Sequence, residues 1–141
     1  MIATGEHERI LRAVEALEDG LRYLASRRPR PWRQRLLRDL RPVDECLREH
    51  CAAAERRGGA LADVEVVIGR LHEVTAARQE HDELMALAAG LLAEIEYRRG
   101  AARLAEGRVR GARLAEALRR HLLAEIDLIQ VRYTLDVGVV D

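Results

Sequence analysis

The chain has 141 residues, the length of a single domain that can bury its own core, so a multi-domain reading is set aside. Charged residues make up 34% of it, but acidic and basic side chains balance at 24 each, which leaves no net field to recruit nucleic acid or an anionic membrane. Leu, Ala, Arg and Glu dominate, Phe is absent and the three prolines stand at positions 29, 31 and 42, a composition that selects the all-α class.

Taken in order, the first helix is expected from Thr4 to Ser26, with Thr4 as N-cap and Glu6 and Glu8 in the first turn. Its apolar stripe is His7, Ile10, Leu11, Val14, Leu17, Leu21 and Leu24, spaced by threes and fours as a buried face requires. Arg27-Arg28-Pro29-Arg30-Pro31 ends it, because two prolines this close do not fit a helix interior. The second helix is expected from Trp32 to Glu55, with Leu36, Leu40, Val43, Leu47, His50 and Ala54 on one face. Pro42 predicts a kink or a break within it, and Gly58-Gly59 a stop after it.

A third helical stretch runs from about Leu61 to Arg98, long enough that a bend is expected at Gly69 or in the polar run Thr75 to Glu80. Its second half aligns Val74, Ala77, His81, Leu84, Met85, Ala88, Leu92 and Ile95. His72, nine residues before His81, falls on the opposite side of a continuous helix. Residues 98–111 read as a charged connection punctuated by Gly100, Gly107 and Gly111, with room for part of the last helix within it. The last helix is expected from Ala112 to Tyr133, with Leu114, Leu118, His121, Glu125, Leu128 and Arg132 in one line, Leu122, Ile126 and Ile129 beside it, and a short apolar tail after it. Four long helices with short links make an up-down-up-down four-helix bundle the expected architecture.

The functional signal is that each helix contributes one histidine to its apolar stripe. His7 at the start of the first helix and His50 at the end of the second share one end of an antiparallel bundle. His81 and His121 reach the same level if the third helix effectively starts near Thr75. His121 and Glu125 are four residues apart and so point the same way. Imidazoles with a carboxylate suit Fe, Zn, Mn or Ni. A buried carboxylate alone is costly, so Glu125 requires a cation, a protonated histidine or Arg132.

These residues resemble the hemerythrin-like (HHE cation-binding) domains over nearly the whole chain. Glu6-His7 followed by Ile10-Leu11 is similar to that family's first-helix histidine, and Leu47-Arg48-Glu49-His50 to its second. Glu80-His81-Asp82-Glu83-Leu84 is similar to its third, and His121 with Glu125 to its C-terminal histidine–carboxylate pair. The resemblance implies a four-helix bundle holding iron that binds oxygen or senses iron and redox state. Two positions depart from the family pattern. A bridging carboxylate is expected four residues after His50, where Ala54 stands with Glu55 one step off. A second histidine is expected four residues before His81, where Ala77 stands. The site implied is a reduced one, with His7, His50, His81, His121 and Glu125 as ligands and Glu55 as a sixth.

A second reading, of a different class, is a metal-free helical interaction module that keeps the fold and works through its surface, for example as a homodimer across Leu122, Ile126 and Ile129. Cys46 and Cys51, about 140° apart on one helix, are not expected to pair. The arginine-rich 27–41 stretch with Trp32 reads as a solvated face, since aromatics for base stacking are nearly absent. No nucleophile elbow or phosphate-binding loop occurs, and the expected role is not enzymatic. No run approaches the roughly 18 apolar residues of a membrane span and Met1 to His7 is no secretory signal, so a cytoplasmic protein is expected.

Overall fold

The computed structural model describes residues 5–26, 31–55, 71–97 and 104–140. Four helices account for nearly all of them: α1 (Gly5–Ser26), α2 (Trp32–Glu55), α3 (Leu71–Tyr97) and α4 (Leu104–Val140), with no strand among the described residues. Each neighbour runs antiparallel to the next, and the side-chain pairs show it. Arg9 bonds Glu49 near one end of the α1–α2 pair, whereas Gly20 meets Asp39 towards the other. Along α2 and α3 the matching pairs are Glu55 with Arg78 and Arg41 with Glu96. His81 with Glu125 and Glu94 with Arg110 tie α3 to α4, and His7 with Glu125 closes α4 onto α1. The helices therefore form a ring in which α1 and α3 lie across the diagonal.

The core follows the predicted stripes. Ile10, Val14, Leu17, Leu21 and Leu24 of α1 pack with Leu36, Leu40, Val43 and Leu47 of α2, Leu84, Ala88 and Ile95 of α3, and Leu114, Leu118 and Leu122 of α4. Burying each large aliphatic side chain is worth about 1.5–3 kcal/mol, so this cluster is what holds the histidine-bearing turns at one level. On α3 the buried residue is Leu91, with Leu92 and Met85 half-buried beside it. Leu122 and Ile126 are core residues at 0% and 3% exposure, which removes them as a dimer face.

Several expectations are corrected here. Pro42 neither breaks nor ends α2, which continues through it to Glu55, although the ring removes the amide proton that would bond the Arg38 carbonyl. The Thr75 to Glu80 run lies inside an uninterrupted α3. The last helix takes in the second half of the 98–111 connection, beginning at Leu104, and extends through the apolar tail to Val140. Gly107 and Gly111, read as punctuation of that connection, are helical positions where another helix comes close. A Cβ on Gly107 would lie 3.0 Å from a Leu36 methyl, and one on Gly111 3.2 Å from a Leu21 methyl. Gly20 has the same use on α1, since a Cβ there would overlap the Asp39 carboxylate, with Cγ at 3.0 Å. The Thr4 cap, the 27–30 part of the first break, the Gly58-Gly59 stop and Gly69 lie outside the described residues, as do the side chains of His72, Ile129 and Arg132.

The arginine-rich face of α2 is neutralised within the fold. Arg35 and Arg38 flank the buried Asp39 at 3.2 and 3.5 Å, and Arg48 reaches Asp44 at 2.7 Å. Trp32 packs against the core beside Gly107. No described helix is long and apolar enough to cross a membrane.

Candidate metal centre

All four inward histidines meet at Glu125. His7 and His50 bring their Nε2 atoms to 3.2 and 2.9 Å from its Oε1, and His81 and His121 bring theirs to 3.0 and 2.7 Å from its Oε2. His7, His50, His81, His121 and Glu125 are each at most 2% exposed. The imidazole rings stand edge to face around the carboxylate, with His7–His50 and His81–His121 centroids 4.9 and 4.6 Å apart. The convergence follows from register. His50 and His81 sit near the facing ends of α2 and α3, and the i, i+4 spacing on α4 aims His121 and Glu125 together.

The four approaches are not equivalent. His7 and His81 are aligned with Glu125 as hydrogen bonds. The Nε2 atoms of His50 and His121 are as close or closer, but they miss hydrogen-bond alignment and are left as unsatisfied buried polar atoms. Such atoms are rare inside a fold because each costs about 1–3 kcal/mol.

Electrostatics single out His121. Burial disfavours its imidazolium, but Glu125 on one side and Glu80 on the other outweigh burial and raise its pKa above 6.5. Glu80 Oε2 lies 3.3 Å from His121 Nδ1 and accepts a hydrogen bond from its N–H, so in the neutral ring Nε2 is a lone pair facing Glu125 Oε2. Two lone pairs at 2.7 Å repel unless a proton or a cation lies between them. Burial would also raise the Glu125 pKa, but contacts from His121, His50, His7 and His81 overcome it and hold the carboxyl far below the usual carboxylate range.

This donor set fits one metal ion. One ligand atom each from His50, His81, His121 and Glu125 lie within 4.8 Å of one another. Donors about 2.1 Å from a common ion are separated by ~3 Å when adjacent and ~4.2 Å when opposed, so the cluster is near ligating geometry. His7 is the neighbour of this group through Oε1 and stands outside the set of four. Glu55, the predicted sixth ligand, is not brought to the centre; it is exposed and both its oxygens accept from Arg78 Nε, at 3.0 and 2.8 Å.

Ala54, at the position where the resemblance led a carboxylate to be expected, is 3% exposed and packs with Val74 and Leu128, and Ala77, at the position of the expected second α3 histidine, packs against the same small cluster, so neither offers a donor.

The five site residues that the sequence pattern singled out as one histidine per helix plus Glu125 are brought together. Glu80 was missed as a participant, although its place one residue before His81 made it legible only once α3 and α4 were docked. Of the cysteines, Cys51 is buried next to the centre and burial, followed by the charges of Glu125, Asp82 and Glu55, pushes its thiol up to about 12. Cys46 is half-buried; neither is in a disulfide.

No protein-family model, no curated protein and no solved structure matches the chain.

Proposed function

We propose that the bundle is a hemerythrin-like metal-binding protein that takes one divalent first-row cation, iron being the one its resemblance names, in a centre reduced from a pair to a single ion. The observation that supports this is the pair of buried, misaligned Nε2 atoms of His50 and His121 beside a carboxylate that is already shared by His7 and His81. A cation at the centre gives both nitrogens a partner and supplies a Lewis-acidic, and for iron a redox-active, group.

The protein's own residues prepare that position. Glu80 keeps the His121 proton on Nδ1, so that Nε2 is presented as a donor to the centre. Glu125 supplies the anionic charge and spans all four rings. The leucine layer of Leu47, Leu84, Leu118 and Leu122 keeps water from competing for the donors. For Nε2 of His121 to ligate a cation, any proton it carries would have to leave to solvent. The role proposed is sensing or storage of metal, oxygen or nitric oxide rather than catalysis.

The test is the metal content of untagged protein and of the His121→Ala, Glu125→Ala double variant. Near-stoichiometric iron or another divalent metal in the wild type, absent from the variant, is the expected result. A folded wild-type protein that contains none and takes up no added Fe(II) refutes the reading. That outcome favours a metal-free interaction module, a reading supported by the two aligned hydrogen bonds that His7 and His81 already make to Glu125.

A further inference from the structure

The centre is sealed. His50, His81, His121 and Glu125 are each about 98% buried, so an ion cannot reach the donors without some side chain moving. A surface opening borders them. Between α2 and α3 lies a surface pocket of about 420 Å³ whose walls include Cys51, Ala52 and Glu55 from α2 and Arg78, His81 and Asp82 from α3. His81 belongs to the four-residue donor set and at the same time lines this pocket.

His81 is also the member best able to move. Its Nε2 bonds Glu125, whereas Nδ1, on the other side of the ring, is buried without a partner. His121, by contrast, is held from behind by Glu80. His50 lacks an Nδ1 partner too, but it is not among the residues lining this pocket. Turning the His81 ring outward breaks one hydrogen bond and exposes Nδ1 to a pocket where it can be solvated. Two arginines line the pocket, but Arg48 is paired with Asp44 at 2.7 Å and Arg78 with Glu55 at 2.8 Å. Asp82 is exposed, has no ion pair among the described residues, and lies one residue from the ring that closes the pocket.

We infer that this α2–α3 pocket is the port through which a divalent cation reaches the centre, with Asp82 attracting the hydrated ion and His81 as the swinging ligand that receives it and carries it to Glu125. The inference rests on the metal-binding reading above. It assigns to Asp82 and His81 a kinetic role that ligation alone does not require.

Stopped-flow uptake of Co(II) by the metal-free protein, followed by its ligand-field absorption, tests it. Ala52 is exposed on the lip, so Ala52→Trp fills the port without entering the core. This variant is expected to slow uptake about tenfold with an unchanged equilibrium affinity. Asp82→Lys is expected to slow uptake by about threefold to tenfold at low salt, and less as salt screens the charge. Ala89→Trp, on the exposed outer side of α3 away from the pocket, is the control and keeps the wild-type rate. Wild-type uptake with unchanged rates in Ala52→Trp and Asp82→Lys overturns the port and leaves the metal-binding reading standing. Reduced affinity at an unchanged rate overturns it as well. No Co(II) uptake by folded wild-type protein overturns both.

Discussion

Glu125→Gln separates charge from shape at the centre. In the wild type one carboxylate faces four Nε2 atoms at 2.7–3.2 Å. The amide has nearly the same volume but only one acceptor oxygen, and its NH2 must face imidazole nitrogens that are themselves donors in part. Removing one partner from a buried charged set costs about 3–5 kcal/mol. Against a total stability of about 5–15 kcal/mol for a domain, that is a fifth or more of what holds it folded. At roughly 2–4 °C per kcal/mol for a chain near this size, the midpoint falls by about 6–20 °C. Urea unfolding and thermal melts in EDTA measure this without interference from metal.

The pH profile gives an independent check. The folded-state pKa of His121 is raised, so its contribution is complete below about 6.5 and is lost as pH rises through the folded value. That of Glu125 is lowered, so its contribution is present above about 4.5 and is lost as pH falls towards its folded value. The metal-free wild type is therefore expected to be most stable between these two values, and Glu125→Gln to lose that maximum. A variant within about 1 kcal/mol of wild type, with the same pH profile, would refute the view that these residues act as one charged network.

Three further predictions follow from the geometry. His121→Ala is expected to abolish binding of Fe(II) or Co(II) in calorimetry, whereas His7→Ala, outside the four-residue donor set, keeps one site with affinity lowered about 10–100-fold; equal losses would disprove the division. Gly20→Ala is expected to destabilise by about 1–3 kcal/mol because its Cβ would displace the Asp39 carboxylate from Arg35, while Gly90→Ala, with open space around it, stabilises by about 1 kcal/mol. Urea midpoints that move the same way in both variants would contradict this. In native protein a thiol reagent is expected to modify Cys46 well before Cys51, which is buried with its pKa pushed up to about 12, and both should react at similar rates in urea. Faster modification of Cys51 would contradict the burial argument.

Where the sequence misled, the cause was that glycine and proline carry two meanings. Pro42 was read as a kink or a break, and the break does not occur: α2 is held on both sides of it by Leu40 and Val43, buried at 2% and 0%, and tertiary packing outweighs one missing hydrogen bond. Gly107 and Gly111 were read as a connection because the residues they make room for, Leu36 and Leu21, belong to helices that local pattern does not relate to α4. Leu91 and Leu92 both fit an apolar stripe, and only the direction of the neighbouring helices chose Leu91 for the core.

The sequence by itself determined the class, the four helices and the five inward polar residues, because the 3.6-residue period places His7, His50, His81, His121 and Glu125 on apolar faces whatever the helices dock against. Only the tertiary structure decided that they meet at one carboxylate, that Glu55 turns away to Arg78, and that Ala54 and Ala77 pack in one small apolar cluster. Periodicity fixes the direction of a side chain around its own helix axis. Its height along the bundle depends on how far each helix slides against the next, and that is set by contacts between residues distant in the chain.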